Sequence, residues 1–411
     1  MAVPETNMRQ TRLARLAIIS LATVVLSCAL YVALNIQKLA EKFFWDFFVY
    51  SGALRAASAG MNPYQPGAIQ TFGVPAHFNF TSPPVFIWTM QGLDHWLGSA
   101  VLAGGYVALF CVAFFGTFWT QLKLLADGAH GKSMISYVVA AFAVFNIAGL
   151  TSLISGNIGI ILNFLIATGI WYGARKSNWI PLFLAVSIAA TLKPFYLEFL
   201  ILPVFLSADW RRMIALSALC VLFVAGVYAL SWNISPDTFL DWRESLADQS
   251  ITRGDAGSNL FAFVMSSAVF GSNAMIAAAV QVGLSCVLLL IVHHGLPCHD
   301  ERRLAALWVV AIFANPRLMA YDAALAALPV LSLLAGWAAQ RFDLPRFASS
   351  AFVSASLYSL GVLSLANPLI PRSIVFPLVA VVSIVLACRA ARIAGTGRIE
   401  AVRLNRNAGP G

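Results

Sequence analysis

Apolar runs of about twenty residues recur along nearly the whole chain, separated by short breaks bearing charge, proline or glycine. A helix of that length crosses the hydrocarbon core of a bilayer, so the pattern calls for a polytopic membrane protein rather than a soluble enzyme. Composition agrees: 60% of the residues are hydrophobic and 10% charged, against roughly 45–50% and 25% in soluble domains. The formal charge of +9 does not indicate a nucleic-acid partner, because the basic residues punctuate apolar runs instead of gathering on one soluble face.

Spans are expected at about 15–37, 99–121, 134–152, 158–174, 179–192, 195–207, 213–231, 274–292, 304–314, 320–337, 347–365 and 374–388, which makes an all-α bundle of twelve crossings. The stretch 259–270 is a re-entrant or thirteenth element. Arg9, Arg12 and Arg15 precede an apolar run from about Leu16 to Leu34 that is longer than a signal peptide requires, so a retained first span is expected. With the N-terminus cytoplasmic, 18 of the 26 Lys and Arg fall on the inner side and 8 on the outer. This asymmetry places both termini in the cytoplasm of an inner-membrane protein. The six cysteines lie almost wholly in apolar runs, where they act as small hydrophobes.

The chain reads as one transmembrane domain, 1–411, with external loops at 38–98 and 232–273. The first loop is rich in Phe, Tyr and Trp, which do not stay solvated, so it is expected to fold onto the bundle as interfacial helices.

Within it, Asp46 stands alone among Trp45, Phe47, Phe48 and Tyr50. A carboxylate among rings is a candidate general base, a helix N-cap or a charge solvated at the interface. Gly60-Met61-Asn62-Pro63-Tyr64 reads as a turn, and Phe78-Asn79-Phe80-Thr81-Ser82-Pro83-Pro84 ends one segment and begins a helix. Lys193 sits between two apolar runs beside Pro194, where it grips an anion, snorkels or pairs with Glu198. Arg317 follows Asn315-Pro316 and precedes Tyr321-Asp322. It either neutralises Asp322 or shares a phosphate with Lys193. His293, His294, Cys298, His299 and Asp300 match no zinc spacing, and neither metal nor cofactor is expected.

In order along the chain, Asp46-Phe47-Phe48-Val49-Tyr50, Gly60 to Tyr64, Phe80 to Pro84, Ser155-Gly156-Asn157, Leu192-Lys193-Pro194 and Asn315 to Asp322 resemble glycosyltransferase family 87, membrane enzymes of the GT-C fold. The resemblance covers about residues 40–325. Phe80 stands where Tyr is common, and the late loop has Arg317 but no His. The resemblance implies transfer of a mannose-like hexose from a polyprenyl-phosphate donor to a hydroxyl of a glycolipid or glycan acceptor, by inverting displacement at the external face. It implies Asp46 as catalytic base, Lys193 and Arg317 as donor-phosphate ligands, and Tyr50, Asn62, Tyr64, Asn79, Asn157, Tyr321 and Asp322 as substrate contacts. The rival readings are a twelve-span secondary transporter, disfavoured because the two halves look unlike each other, and a lipid-linked glycan flippase.

Overall fold

In the computed structural model, which describes residues 5–41, 43–125, 132–249, 257, 259–266, 273–298, 300–366 and 372–407, every regular element is helical. Helix α1 (Glu5–Glu41) precedes α2 (Trp45–Ser58) and α3 (Pro84–Leu97) of the first loop, followed by α4 (Ser99–Leu125), α5 (Lys132–Ser155) and α6 (Ile158–Lys176). Next, α7 (Ile180–Leu192) passes through Lys193 into a 3-10 stretch, Pro194–Leu200, and α8 (Ile201–Leu206). Helix α9 (Trp210–Ile234) leads to α10 (Pro236–Ala247) and α11 (Leu260–Ser266), and the chain ends with α12 (Ala274–Gly295), α13 (Arg302–Ala314), α14 (Ala320–Phe342), α15 (Arg346–Ala366) and α16 (Arg372–Asn407).

Among the described residues, eight helices are long and apolar enough to cross a bilayer; α5, bent by 62° between Met134–Val144 and Gly149–Ser155, makes a ninth. Twelve full crossings are therefore not established by the lengths of the described helices. Helices α7 and α13 have 13 residues each, so each is only about 20 Å long against a hydrocarbon core of about 30 Å. The pair Pro194–Leu206 is similarly short. Of the 259–270 element, 267–270 lie outside the described residues, and the described part holds α11, whose seven residues alone are too few to span.

Helix α13 is apolar all round from Leu304 onward and buried at Arg303 and from Ala305 to Phe313, which marks it as a central helix. It packs against α12, α14 and α16. Helices α1 and α9 are the reverse, with only 17% of their apolar windows buried, and expose Leu, Ile and Val as lipid-facing helices do. The first loop lies on the bundle: Phe44, Tyr64, Phe80 and Phe86 are buried and join the main apolar core.

At the end away from the loops, buried Arg303 donates to Leu296 O (2.9 Å), the C-cap of α12, and to Phe205 O (3.1 Å) in α8. A guanidinium thereby satisfies carbonyls that two helix ends leave unpaired.

Candidate active site

Chain geometry at the start of α2 aims Asp46. Phe44 takes a left-handed conformation (φ 58°) as the N-cap of α2, and its N–H donates to Ile154 O at 2.7 Å. Its ring lies over Gly156, where an added Cβ would stand 2.9 Å from the ring edge. Gly156 itself has φ +65°, so glycine is required both for the backbone and for the close approach. Because Phe44 is the cap, Asp46 in the first helical turn is not, which removes the N-cap reading.

The turn Ser155-Gly156-Asn157 presents Asn157 to two charged groups. Its Nδ2 donates to Asp46 Oδ2 at 2.9 Å, while its Oδ1 accepts from Lys193 Nζ at 2.8 Å and from Gly159 N–H at 2.7 Å. One buried amide thus joins the carboxylate to the ammonium and caps α6 as well. Tyr50 Oη accepts from Ile158 N–H at 3.3 Å, and Tyr106 Oη donates to Gly156 O at 2.6 Å. Tyr196 Oη lies 2.5 Å from Asn163 Oδ1 and 3.0 Å from Gly159 O, which fixes the 3-10 stretch after Lys193 against α6.

Desolvation raises the Asp46 carboxyl to about 6; the Asn157 hydrogen bond, Lys193 and Arg317 oppose the rise and Asp322 adds to it. All four groups therefore act on one carboxylate. Glu198, the alternative partner for Lys193, keeps Oε2 buried without a hydrogen-bond partner among the described residues.

The late loop is held by amide side chains. Asn259 Nδ2 donates to Phe313 O (2.7 Å) and Asn315 O (2.5 Å), and Gln281 also donates to Phe313 O. Arg317 N–H donates to Asn315 Oδ1 at 2.9 Å. Asp322, in the first turn of α14, is 3% exposed, and neither carboxylate oxygen makes a well-formed hydrogen bond among the described residues, while the Met319 N–H at the helix N-cap and the charges of Lys193 and Arg317 act on it. Arg317 therefore does not neutralise it through a direct bond.

The structure brings together Asp46, Tyr50, Asn157, Lys193 and Asp322, with Arg317 close enough to act on Asp46. Asn62, Tyr64 and Asn79 serve elsewhere in the first loop. Asn62 Nδ2 donates to Asp241 Oδ2 at 2.7 Å, Asn79 Nδ2 to Asp248 Oδ2 at 3.2 Å, and Tyr64 Oη to Ser82 O at 2.7 Å. They fasten the loop to α10 and to itself. Tyr321 lies in the first turn of α14, its side chain outside what the structure describes. Two further contributors, Tyr106 and Gly159, were hidden in apolar runs, and only the turn at 155–157 pointed toward Gly159. His299 lies outside the described residues, and among those described no group of three or more His, Cys, Asp or Glu is placed to hold a metal.

A cavity of about 1050 Å³ lies elsewhere, at the opposite ends of α6, α7, α9 and α13, lined in part by Arg175, Trp179, Arg212, Arg302 and Arg346. It contains none of the expected site residues. The model of glycosyltransferase family 87 matches residues 80–320, a span that includes Asn157, Lys193 and Arg317 and begins after Asp46. No curated protein and no solved structure matches the chain.

Proposed function

The chain belongs to glycosyltransferase family 87 and is a membrane glycosyltransferase, and from that premise we propose that Asp46 is the general base of sugar transfer from a polyprenyl-phosphate donor to a hydroxyl acceptor. The acceptor is a glycolipid or glycan, the sugar a mannose-like hexose, and the reaction face the external side of the cytoplasmic membrane. The observation that carries this reading is the Asp46–Asn157–Lys193 hydrogen-bonded chain, which sets a carboxylate and a cation on opposite sides of one amide.

In the proposed step, the acceptor oxygen attacks the anomeric carbon as its proton passes to Asp46. The bond from that carbon to the phosphate oxygen breaks, and the electron pair leaves with polyprenyl phosphate. A single displacement inverts the anomeric centre. A base titrating at about 6 is mostly ionised at neutral pH and still close enough to accept a proton efficiently. The leaving phosphate gains charge, which Lys193 and Arg317 are suited to stabilise. Lys193 alone is a weak anion site, because Asp46 and Asp322 already act on it; the reading needs Arg317 as the second cation.

Asp46→Asn tests the proposal with little change in shape. Donor binding is expected to survive while transfer from a synthetic polyprenyl-phosphate sugar falls by about 10²–10⁴-fold. Transfer within a few-fold of wild type would exclude Asp46 as the base.

A further inference from the structure

The cavity of about 1050 Å³ at the end away from the loops has a lining of two chemistries. Leu125, Leu206, Met213, Leu216 and Leu304 make an apolar wall, beside Trp179, which is packed so tightly on Gly173 that an added Cβ would collide with the indole. Around this wall stand Arg175, Arg212, Arg302 and Arg346 with Asp209, Asp300 and Glu301. Two of these carboxylates are committed within the fold. Asp300 accepts from Arg302 Nε at 2.9 Å and Nη2 at 2.7 Å, and Asp209 caps α9 by accepting from Arg212 N–H at 3.2 Å. The guanidinium groups of Arg212 and Arg346 form no hydrogen bond or ion pair among the described residues. Both lie in the first turn of a helix, α9 and α15, where a cation opposes the macrodipole and an anion is favoured.

Aromatic rings beside cations set the depth of the cavity in the bilayer. At the same end, Lys123 lies 4.8 Å from the Trp119 ring, Arg211 5.4 Å from Trp210 and Arg341 6.0 Å from Phe342, all three rings being exposed. Such rings mark the headgroup layer. Helix α9 stands between cavity and lipid: Arg212, Met213 and Leu216 line the cavity, while Trp210, Ile214 and Val221, on the far side of the helix, are exposed.

We propose that this cavity binds the headgroup of an anionic phospholipid from the leaflet opposite the active site, with Arg212 and Arg346 holding the phosphate and the apolar wall receiving the start of the acyl chains. Basic pockets between membrane helices suit such headgroups, and the planar arginine fork matches phosphate oxygens. A free phosphate makes no use of the apolar wall. A choline lipid brings no net charge to complement the two arginines.

The test titrates phosphatidylglycerol, phosphatidylcholine or inorganic phosphate into the purified full-length protein in neutral detergent and follows the melting temperature, which a ligand of the folded state raises. Phosphatidylglycerol is expected to raise it saturably, and the other two to leave it unchanged. Arg212→Gln/Arg346→Gln should weaken the apparent phosphatidylglycerol affinity by about tenfold or more, and Arg211→Gln/Arg341→Gln, which removes equal charge outside the cavity, by less than about twofold. Gly336→Phe should weaken it as the first pair does while removing no charge, because Gly336 lines the cavity and an added Cβ there meets no atom within 4 Å. All five positions are exposed, so the variants are expected to melt near wild type without lipid. An equal response to phosphatidylcholine, or the same response to inorganic phosphate, would overturn the lipid assignment. Full affinity in either cavity variant, or equal weakening in Arg211→Gln/Arg341→Gln, would leave only surface attraction and overturn the site.

Discussion

Asp46 owes its proton affinity to opposing causes of different origin, and each predicts a direction. Ionisation is half complete at about pH 6, so kcat/KM is expected to rise through that pH to a plateau as the base loses its proton. Lys193 lowers the carboxyl and Asp322 raises it. Lys193→Met should therefore move the rising limb to higher pH and Asp322→Asn to lower pH, whatever either does to the maximum rate. A pH–rate profile for the three proteins checks this, and coincident limbs would dissociate the two residues from Asp46. Asp46, Lys193 and Asp322 were visible in the sequence because charge in an apolar context is conspicuous. Their shared partner Asn157 was visible only as part of a turn. The close packing of Gly159 against Lys193 and Asp322 was not visible at all, because it depends on α6, α14 and the exit of α7 meeting at one point.

The second external segment gives the first its fixed shape. Helix α10 offers Trp242 Nε1 to Thr81 O and Ser245 Oγ to Phe80 O, both at 2.9 Å, beside the two Asn–Asp contacts. These bonds secure the backbone just before α3, where prolines leave few donors of its own. Trp242 also stacks on Tyr228 with ring centroids 5.7 Å apart. Trp242→Phe keeps an aromatic ring there and loses the bond to Thr81, a local cost of about 0.5–1.5 kcal/mol. Hydrogen exchange in residues 78–84 is expected to accelerate while the global melting temperature stays nearly constant; unchanged exchange would show that α10 does not brace the loop. The bonds of Asn62 and Asn79 to α10 were not legible in the sequence, since an amide in a turn looks alike whether it meets sugar or a neighbouring helix. In sequence, apolar runs of 13 residues look like trimmed spans; in the fold, α7 and α13 end at the site, with Lys193 and Asn315 as their C-caps.

Across the whole molecule, the membrane character and helical class were legible from composition and run length alone, because lipid solvation demands both. The two ends differ. One carries the loops with Asp46 and Asp322, the other a cavity lined by both arginines and carboxylates and the buried Arg303 clasp. Helices α7 and α13 both run from the cavity end to the site. At about 20 Å each, they stop about 10 Å short of a full hydrocarbon thickness. These lengths predict that the reacting groups lie at the bottom of a well rather than on a headgroup plane, since the long helices α1, α4 and α9 are able to reach the full thickness. A lipid carrier reaching such a well must sink its phosphate below the level of its neighbours, at a cost that grows as the leaflet thickens. Hydrophobic mismatch becomes a kinetic variable. In proteoliposomes of phosphatidylcholines with progressively longer chains, the KM for donor is expected to climb with bilayer thickness; a KM indifferent to chain length would place the phosphate at the ordinary membrane surface.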